Sequence, residues 1–165
     1  MKRIYWSNRT YESWTLYLAT TENGLCYVGF NVQGLMDWVK AKLPAYQIEQ
    51  RDEEIQPYAK ELEEYLKGER AFFTFASDMH GTKFQLAVWR EIRNIPYGQT
   101  KTYSEIANQL QKPTAIRATA AAIGANPLLF VVPCHRVIGK NGQLTGYRGG
   151  LERKRQLVLM ESRQD

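Results

Sequence analysis

The sequence predicts an α+β chain of two domains, a mixed sheet-and-helix domain over residues 1–80 followed by a helical domain over 81–165 that carries a helix-turn-helix. Three observations point there. Residues 1–80 hold nine Lys and Arg against twelve Asp and Glu, a net of −3, whereas residues 81–165 hold thirteen against five, a net of +8. A hairpin signal, Asn23-Gly24 between two runs rich in aromatic and branched residues, lies in the first half. A capping box followed by a tight turn and an alanine-rich segment lies in the second.

Taken in order, Trp14–Ala19 and Leu25–Phe30 read as the two strands of the hairpin. Leu35–Lys42 reads as a helix ended by Pro44, and Ile55–Lys67 as a second, with Leu62, Tyr65 and Leu66 on its apolar face and Gly68 as its stop. The acidic residues Asp52, Glu53, Glu54, Glu63 and Glu64 fit solvated helix-start and helix-face charges. Beyond Gly81, the spacing of Phe84, Ala87, Val88, Ile92 and Ile95 describes an amphipathic helix closed by Pro96 and the Tyr97-Gly98 turn. Thr102-Tyr103-Ser104-Glu105 starts a helix running to about Leu110. Gln111-Lys112-Pro113 makes a turn, and Thr114–Ile123 forms the next helix with Gly124 as its C-cap. Arg117 is the only charged side chain of that helix; its alanines suit either tight internal packing or close approach to a DNA groove.

Composition narrows the function classes. With 165 residues, 44% apolar, 12% aromatic, 12 Gly and 6 Pro, the chain belongs with compact globular proteins and not with disordered or collagenous ones. Two cysteines, Cys26 and Cys134, exclude a disulfide scaffold, and with His80 and His135 they fall short of an evident zinc cluster. No secretory signal and no apolar run of about twenty residues is present, which reads as a soluble, cytoplasmic protein with reduced thiols. The basic second half favours a polyanionic partner, nucleic acid foremost.

The continuous apolar run Leu128–Val132 reads as a buried extended segment that delivers Pro133-Cys134-His135-Arg136-Val137 at its end. A thiol held beside a base and a cation is placed for nucleophilic chemistry, although consecutive strand residues face opposite ways unless the backbone turns there.

Pro133-Cys134-His135-Arg136-Val137, preceded by Ile116-Arg117-Ala118 and Ala125-Asn126-Pro127 and followed by Gly146-Tyr147-Arg148-Gly149-Gly150 and Glu161, resembles the O6-alkylguanine-DNA alkyltransferases over roughly residues 80–162. The resemblance implies a ribonuclease-H-like N-terminal domain and irreversible, single-turnover transfer of an alkyl group from O6-alkylguanine, with O4-alkylthymine a further candidate substrate. It implies Cys134 as acceptor, His135 as a base acting through water, Glu161 as the acid orienting it, and Tyr103 as donor to the departing base. Arg117 matches the finger that replaces the flipped nucleotide, within a DNA-contacting set of Arg117, Thr114, Ala118, Ala121, Tyr103 and Arg136. Asn126 matches a hinge residue, and Val137, Tyr147, Arg148 and Ile123 the substrate pocket. Arg148 departs from the serine that often follows the tyrosine.

The implied partner is double-stranded DNA, contacted in the minor groove by a monomer, with no cofactor, no zinc and no membrane. No cysteine-rich regulatory domain precedes the repair segment, so the expectation is the stand-alone form. Two other readings remain at this stage. One is a lesion-binding protein that flips alkylated guanine without repairing it; such relatives usually carry tryptophan in place of the cysteine, which is intact here. The other is a thiol hydrolase built on Cys134, His135 and Glu161, against which the basic second half and Arg117 argue.

Overall fold

The computed structural model describes residues 2–163. The chain divides after His80 into two compact units. In the first, strands β1 (Arg3–Tyr11), β2 (Trp14–Thr21), β3 (Gly24–Gly29) and β4 (Gln47–Gln50) form one sheet in the order β3-β2-β1-β4, with β4 parallel to β1 and the other pairs antiparallel. Helix α1 (Val32–Lys42) and helix α2 (Asp52–Leu66) cover its two faces. Ile4, Ala19 and Tyr27 pack with Leu35 and Val39 of α1. The opposite face carries α2, where the Tyr11 hydroxyl donates to the Ala59 carbonyl at 2.7 Å and Ser7 bonds Asp52. Helix α1 packs on β3 and the segment Ala76–Asp78 bonds along its outer edge, and every residue of β3 is buried, Cys26 included.

The expected hairpin is β2–β3, and its turn residues are Glu22 and Asn23. Gly24 follows at φ +141°, where a Cβ would stand 2.5 Å from the Ala76 carbonyl oxygen, so no other residue fits there. Strands β1 and β4 were not expected from the sequence. Helix α1 starts three residues earlier than the periodicity indicates, because the Asn31 side chain accepts from the Gly34 N–H at 2.8 Å and caps it. Helix α2 likewise opens on Asp52, Glu53 and Glu54, acids that complement the positive end of its dipole.

The second unit is built on α3 (Lys83–Arg93), α4 (Tyr103–Gln109) and α5 (Ile116–Gly124), packed on one another. Reciprocal capping boxes start α3 at Thr82 and Gln85 and α4 at Thr102 and Glu105. The indole N–H of Trp89 donates to the Ala122 carbonyl at 2.8 Å, fixing α5 against α3. Two boundaries differ from expectation. Helix α5 begins at Ile116, after Pro113 and Thr114 have been spent on the turn, and Gly124 is its last helical residue, not a left-handed cap. The left-handed residue here is Gln111, which closes α4 at φ +60°. Two-residue strands β5 (Lys101–Thr102) and β6 (Val137–Ile138) pair in parallel, and α6 (Leu151–Ser162) completes the unit.

Candidate active site

The apolar run Leu128–Val132 is buried as expected, yet it is not a strand. Its backbone coils into tight turns, with Val131 N–H donating to the Leu129 carbonyl and Val132 N–H to that of Leu128, and Phe130 stands at φ +72°. An aromatic residue in the left-handed region is strained and persists because packing holds it; Phe130 is 1% exposed. Hydrophobicity alone does not distinguish a buried strand from a buried coil.

Asn126 organises that coil. Its side-chain oxygen accepts from the Leu128 N–H at 2.9 Å, and its Nδ2 donates to the Val132 carbonyl at 2.9 Å and reaches Cys134 Sγ at 3.2 Å. One buried amide therefore satisfies backbone groups that would otherwise be orphaned and ties the thiol to them. Asn126→Ala is expected to cost about 2 kcal/mol of stability, since at least one buried backbone group loses its partner. Denaturant unfolding of the variant checks this, and a loss below about 0.5 kcal/mol would contradict it.

Cys134, His135 and Arg136 form a single 3-10 turn, so the backbone does turn at the point where a strand would have separated thiol and imidazole. The turn runs directly into β6, whose parallel partner β5 ends at the start of α4, which brings Tyr103 toward the cysteine. His135 Nε2 lies 2.7 Å from Glu161 Oε2 on α6. Arg136 donates to the same carboxylate through Nε at 2.8 Å and Nη2 at 3.0 Å, and through Nη1 to the Ile95 carbonyl at 2.7 Å. Arg136 is only 7% exposed, and its guanidinium lies over the ring of Tyr97. It belongs to a buried charge cluster, which corrects its assignment to the DNA-contacting set.

Cys134 Sγ faces a cavity of about 320 Å³ lined by Tyr103, Ala120, Ile123, Gly124, Thr145, Gly146, Tyr147 and Arg148. Val137 is not among these residues. It is fully buried within β6, a second correction. Ile123, Tyr147 and Arg148 line this cavity, and Arg148 Nε donates to the Asn126 carbonyl at 2.8 Å. Thr114, Arg117, Ala118 and Ala121 are all exposed, the last three on α5.

Burial pushes the Cys134 thiol above its ordinary value, opposed by the Asn126 hydrogen bond and by the charges of Arg148 and Lys154. Burial holds His135 below 6.5 despite the opposing pull of Glu161, so the imidazole is neutral at pH 7 and competent to accept a proton. Cys26 is pushed up by burial too, with Asp78 adding to the rise and no cation opposing it among the described residues, and its Sγ donates to the Ala19 carbonyl at 3.4 Å. Among the described residues, no group of three or more His, Cys, Asp and Glu is arranged to hold a metal ion.

Sequence reasoning missed Lys154. It is fully buried, and its ammonium donates to the carbonyls of Thr145 at 2.7 Å and Gly146 at 3.3 Å. The Tyr103 hydroxyl donates to that same Thr145 carbonyl at 3.1 Å. Burial pulls Lys154 down to about 8. The signal was present: Lys154, Leu157 and Glu161 recur at the spacing of the buried face of α6.

Residues 83–163 match the model of the 6-O-methylguanine DNA methyltransferase DNA binding domain, and residues 4–79 that of its ribonuclease-like domain. An inducible methylated-DNA–protein-cysteine methyltransferase of Bacillus subtilis is 50% identical over 163 residues, covering 97% of this chain and 91% of that one. The chain belongs to the 6-O-methylguanine DNA methyltransferase family. A methylated-DNA–protein-cysteine methyltransferase from Methanosarcina acetivorans is 41% identical over 146 residues, 88% of this chain and 90% of that one. Among solved structures, a Mycobacterium tuberculosis member of the family in complex with DNA superposes with a TM-score of 0.80 at 33% identity, over 96% of this chain and 92% of that one. Membership of the 6-O-methylguanine DNA methyltransferase family accounts for the two-unit division. Among the described residues, no helix is long and apolar enough to cross a membrane.

Proposed function

We propose that this chain repairs duplex DNA by direct reversal, taking the alkyl group from O6-alkylguanine onto Cys134 in one irreversible event. The observation that carries the reading is the Cys134 thiol at a cavity wall with the buried His135–Glu161 pair behind it and Tyr103 and Ile123 around it. Homology to methylated-DNA–protein-cysteine methyltransferases supports it.

In this mechanism the neutral imidazole of His135 takes the thiol proton through a water molecule while Glu161 steadies the ring. Sγ attacks the alkyl carbon in line with the O6–C bond, and the electron pair returns to the purine. Tyr103 donates to ring N3 as the base leaves, so its hydroxyl exchanges the Thr145 carbonyl for the base on substrate entry. The reacting carbon is out of reach in a stacked duplex, and the nucleotide is extruded into the cavity. The exposed face of α5, with Arg117 among Ala118 and Ala121, enters the minor groove, and Arg117 occupies the space left behind. Thr114, at the turn before α5, contacts the backbone. Little sequence reading follows, because the minor-groove pattern is degenerate.

Incubation with duplex containing O6-methylguanine, followed by digestion of the DNA to nucleosides, tests the reading: unmodified deoxyguanosine is expected in place of the lesion. Release of free guanine, or a lesion that persists while bound, would overturn it.

The pH dependence follows from His135. Because burial sets its folded value below 6.5, the single-turnover rate at saturating protein is expected to fall on acidification with a midpoint below 6.5, as the imidazole becomes protonated. A midpoint above 6.5 would contradict the assignment of His135 as the base.

A further inference from the structure

Arg148 is a long cation in the wall of the cavity that holds the Cys134 thiol. Its Nε–Asn126 hydrogen bond anchors the stem of the guanidinium at 2.8 Å, which ties an exposed charge to the cavity wall. Lys154 adds a second positive charge behind the Thr145-Gly146 stretch of the same wall. Both charges act on the Cys134 sulfur in the direction that favours an anion. No carboxylate lines the cavity among the described residues. The Glu161 carboxylate is engaged by His135 and Arg136.

A methyl group makes no use of this arrangement, being neutral and small. We infer that Arg148 is a specificity-determining residue that favours O6-alkyl substituents ending in an anion, carboxymethyl as the simplest, over neutral ones of equal size. The inference rests on the alkyl-transfer reading above. For such a substrate the thiol and the substituent carry or develop like charge at the moment of attack, which slows the reaction in a neutral pocket, and a fixed cation at the wall offsets that repulsion. The step balances as for methyl. The S–C bond forms as the O6–C bond breaks, the carboxylate stays on the transferred carbon, and the thiol proton ends on the guanine ring.

The test uses the full chain and three duplexes of one sequence, carrying O6-carboxymethylguanine, the isosteric neutral O6-carbamoylmethylguanine, or O6-methylguanine. Single-turnover rates give the carboxymethyl to carbamoylmethyl ratio, in which effects on DNA binding and on thiol reactivity cancel. The wild-type ratio is expected to exceed one. It should fall about tenfold in Arg148→Ser, the size of one charge-assisted contact, and fall less in Arg148→Lys, which keeps the charge without the fork. A wild-type ratio at or below one overturns the inference without any variant, as does a ratio unchanged in Arg148→Ser. Failure with all three duplexes, O6-methylguanine included, overturns the alkyl-transfer reading instead.

Discussion

Cys134→Ser is expected to abolish alkyl transfer, with a loss of at least about 10³-fold in single-turnover rate, while leaving lesion-DNA affinity within about twofold of wild type. The hydroxyl that replaces the thiol is a much weaker acid, and a neutral imidazole at His135 does not generate an alkoxide from it at neutral pH. The fold should tolerate the change. Serine is close in size, and Asn126 Nδ2, 3.2 Å from Sγ in the wild type, donates equally well to a hydroxyl. Transfer is measured by label on the protein and affinity by gel shift. A variant that still transfers would relocate the acceptor, and Cys26, buried within the sheet of the other unit, offers no alternative nucleophile. A variant that loses binding as well would mean that the cysteine is structural.

The second large effect concerns stability. The Glu161 carboxylate accepts from Arg136 twice and pairs with His135, all three residues being at most 7% exposed. Glu161→Ala leaves the Arg136 guanidinium buried with the Ile95 carbonyl and the Tyr97 ring as its remaining named contacts. Removing one partner of a buried charge network costs about 3–5 kcal/mol, because the other charge is stranded away from water. Glu161→Gln keeps the shape and one acceptor oxygen and should cost less than Glu161→Ala, yet it still slows transfer by losing the charge that steadies His135. Urea unfolding followed on the C-terminal unit reads the first effect and single-turnover kinetics the second. A cost below about 1 kcal/mol for Glu161→Ala would show that the cluster relaxes or admits water.

What the sequence made legible is what short-range chemistry determines. Thr102 and Glu105 lie three residues apart and satisfy each other's backbone donors, so the start of α4, and with it the place of Tyr103, was readable locally. The hairpin and the end of α2 at Gly68 were readable for the same reason. Strand β1 was missed because its sequence, Arg3–Tyr11, mixes polar residues into both faces. Ser7 looks like a surface residue until Asp52, forty-five positions on, pairs with it. Strand β4 has one apolar residue in four. The coil at Leu128–Val132 was misread as extended because its polar partner is a single side chain, Asn126, whose three acceptors are fixed only in three dimensions.

The candidate site divides along the same line. Cys134, His135 and Tyr147 stand out through motif and spacing, and the cavity does contain or adjoin them. Arg136 stood in the DNA-contacting set that the resemblance implied. Its burial follows from Glu161, twenty-five residues away, which the resemblance had assigned to His135 alone. Lys154 went unnoticed because buried lysines are rare, and its acceptors are backbone carbonyls with no signature in the residue pattern.

In the proposed mechanism the protein itself is the acceptor, and it reacts once. Intact-protein mass after incubation with a molar excess of duplex containing O6-methylguanine tests it directly. The predicted result is a gain of one methyl group per molecule, mapped to Cys134 by peptide analysis, with no further lesion consumed once every molecule is modified. Continued consumption of lesion by unmodified protein, or a methyl group on any other residue, would contradict it.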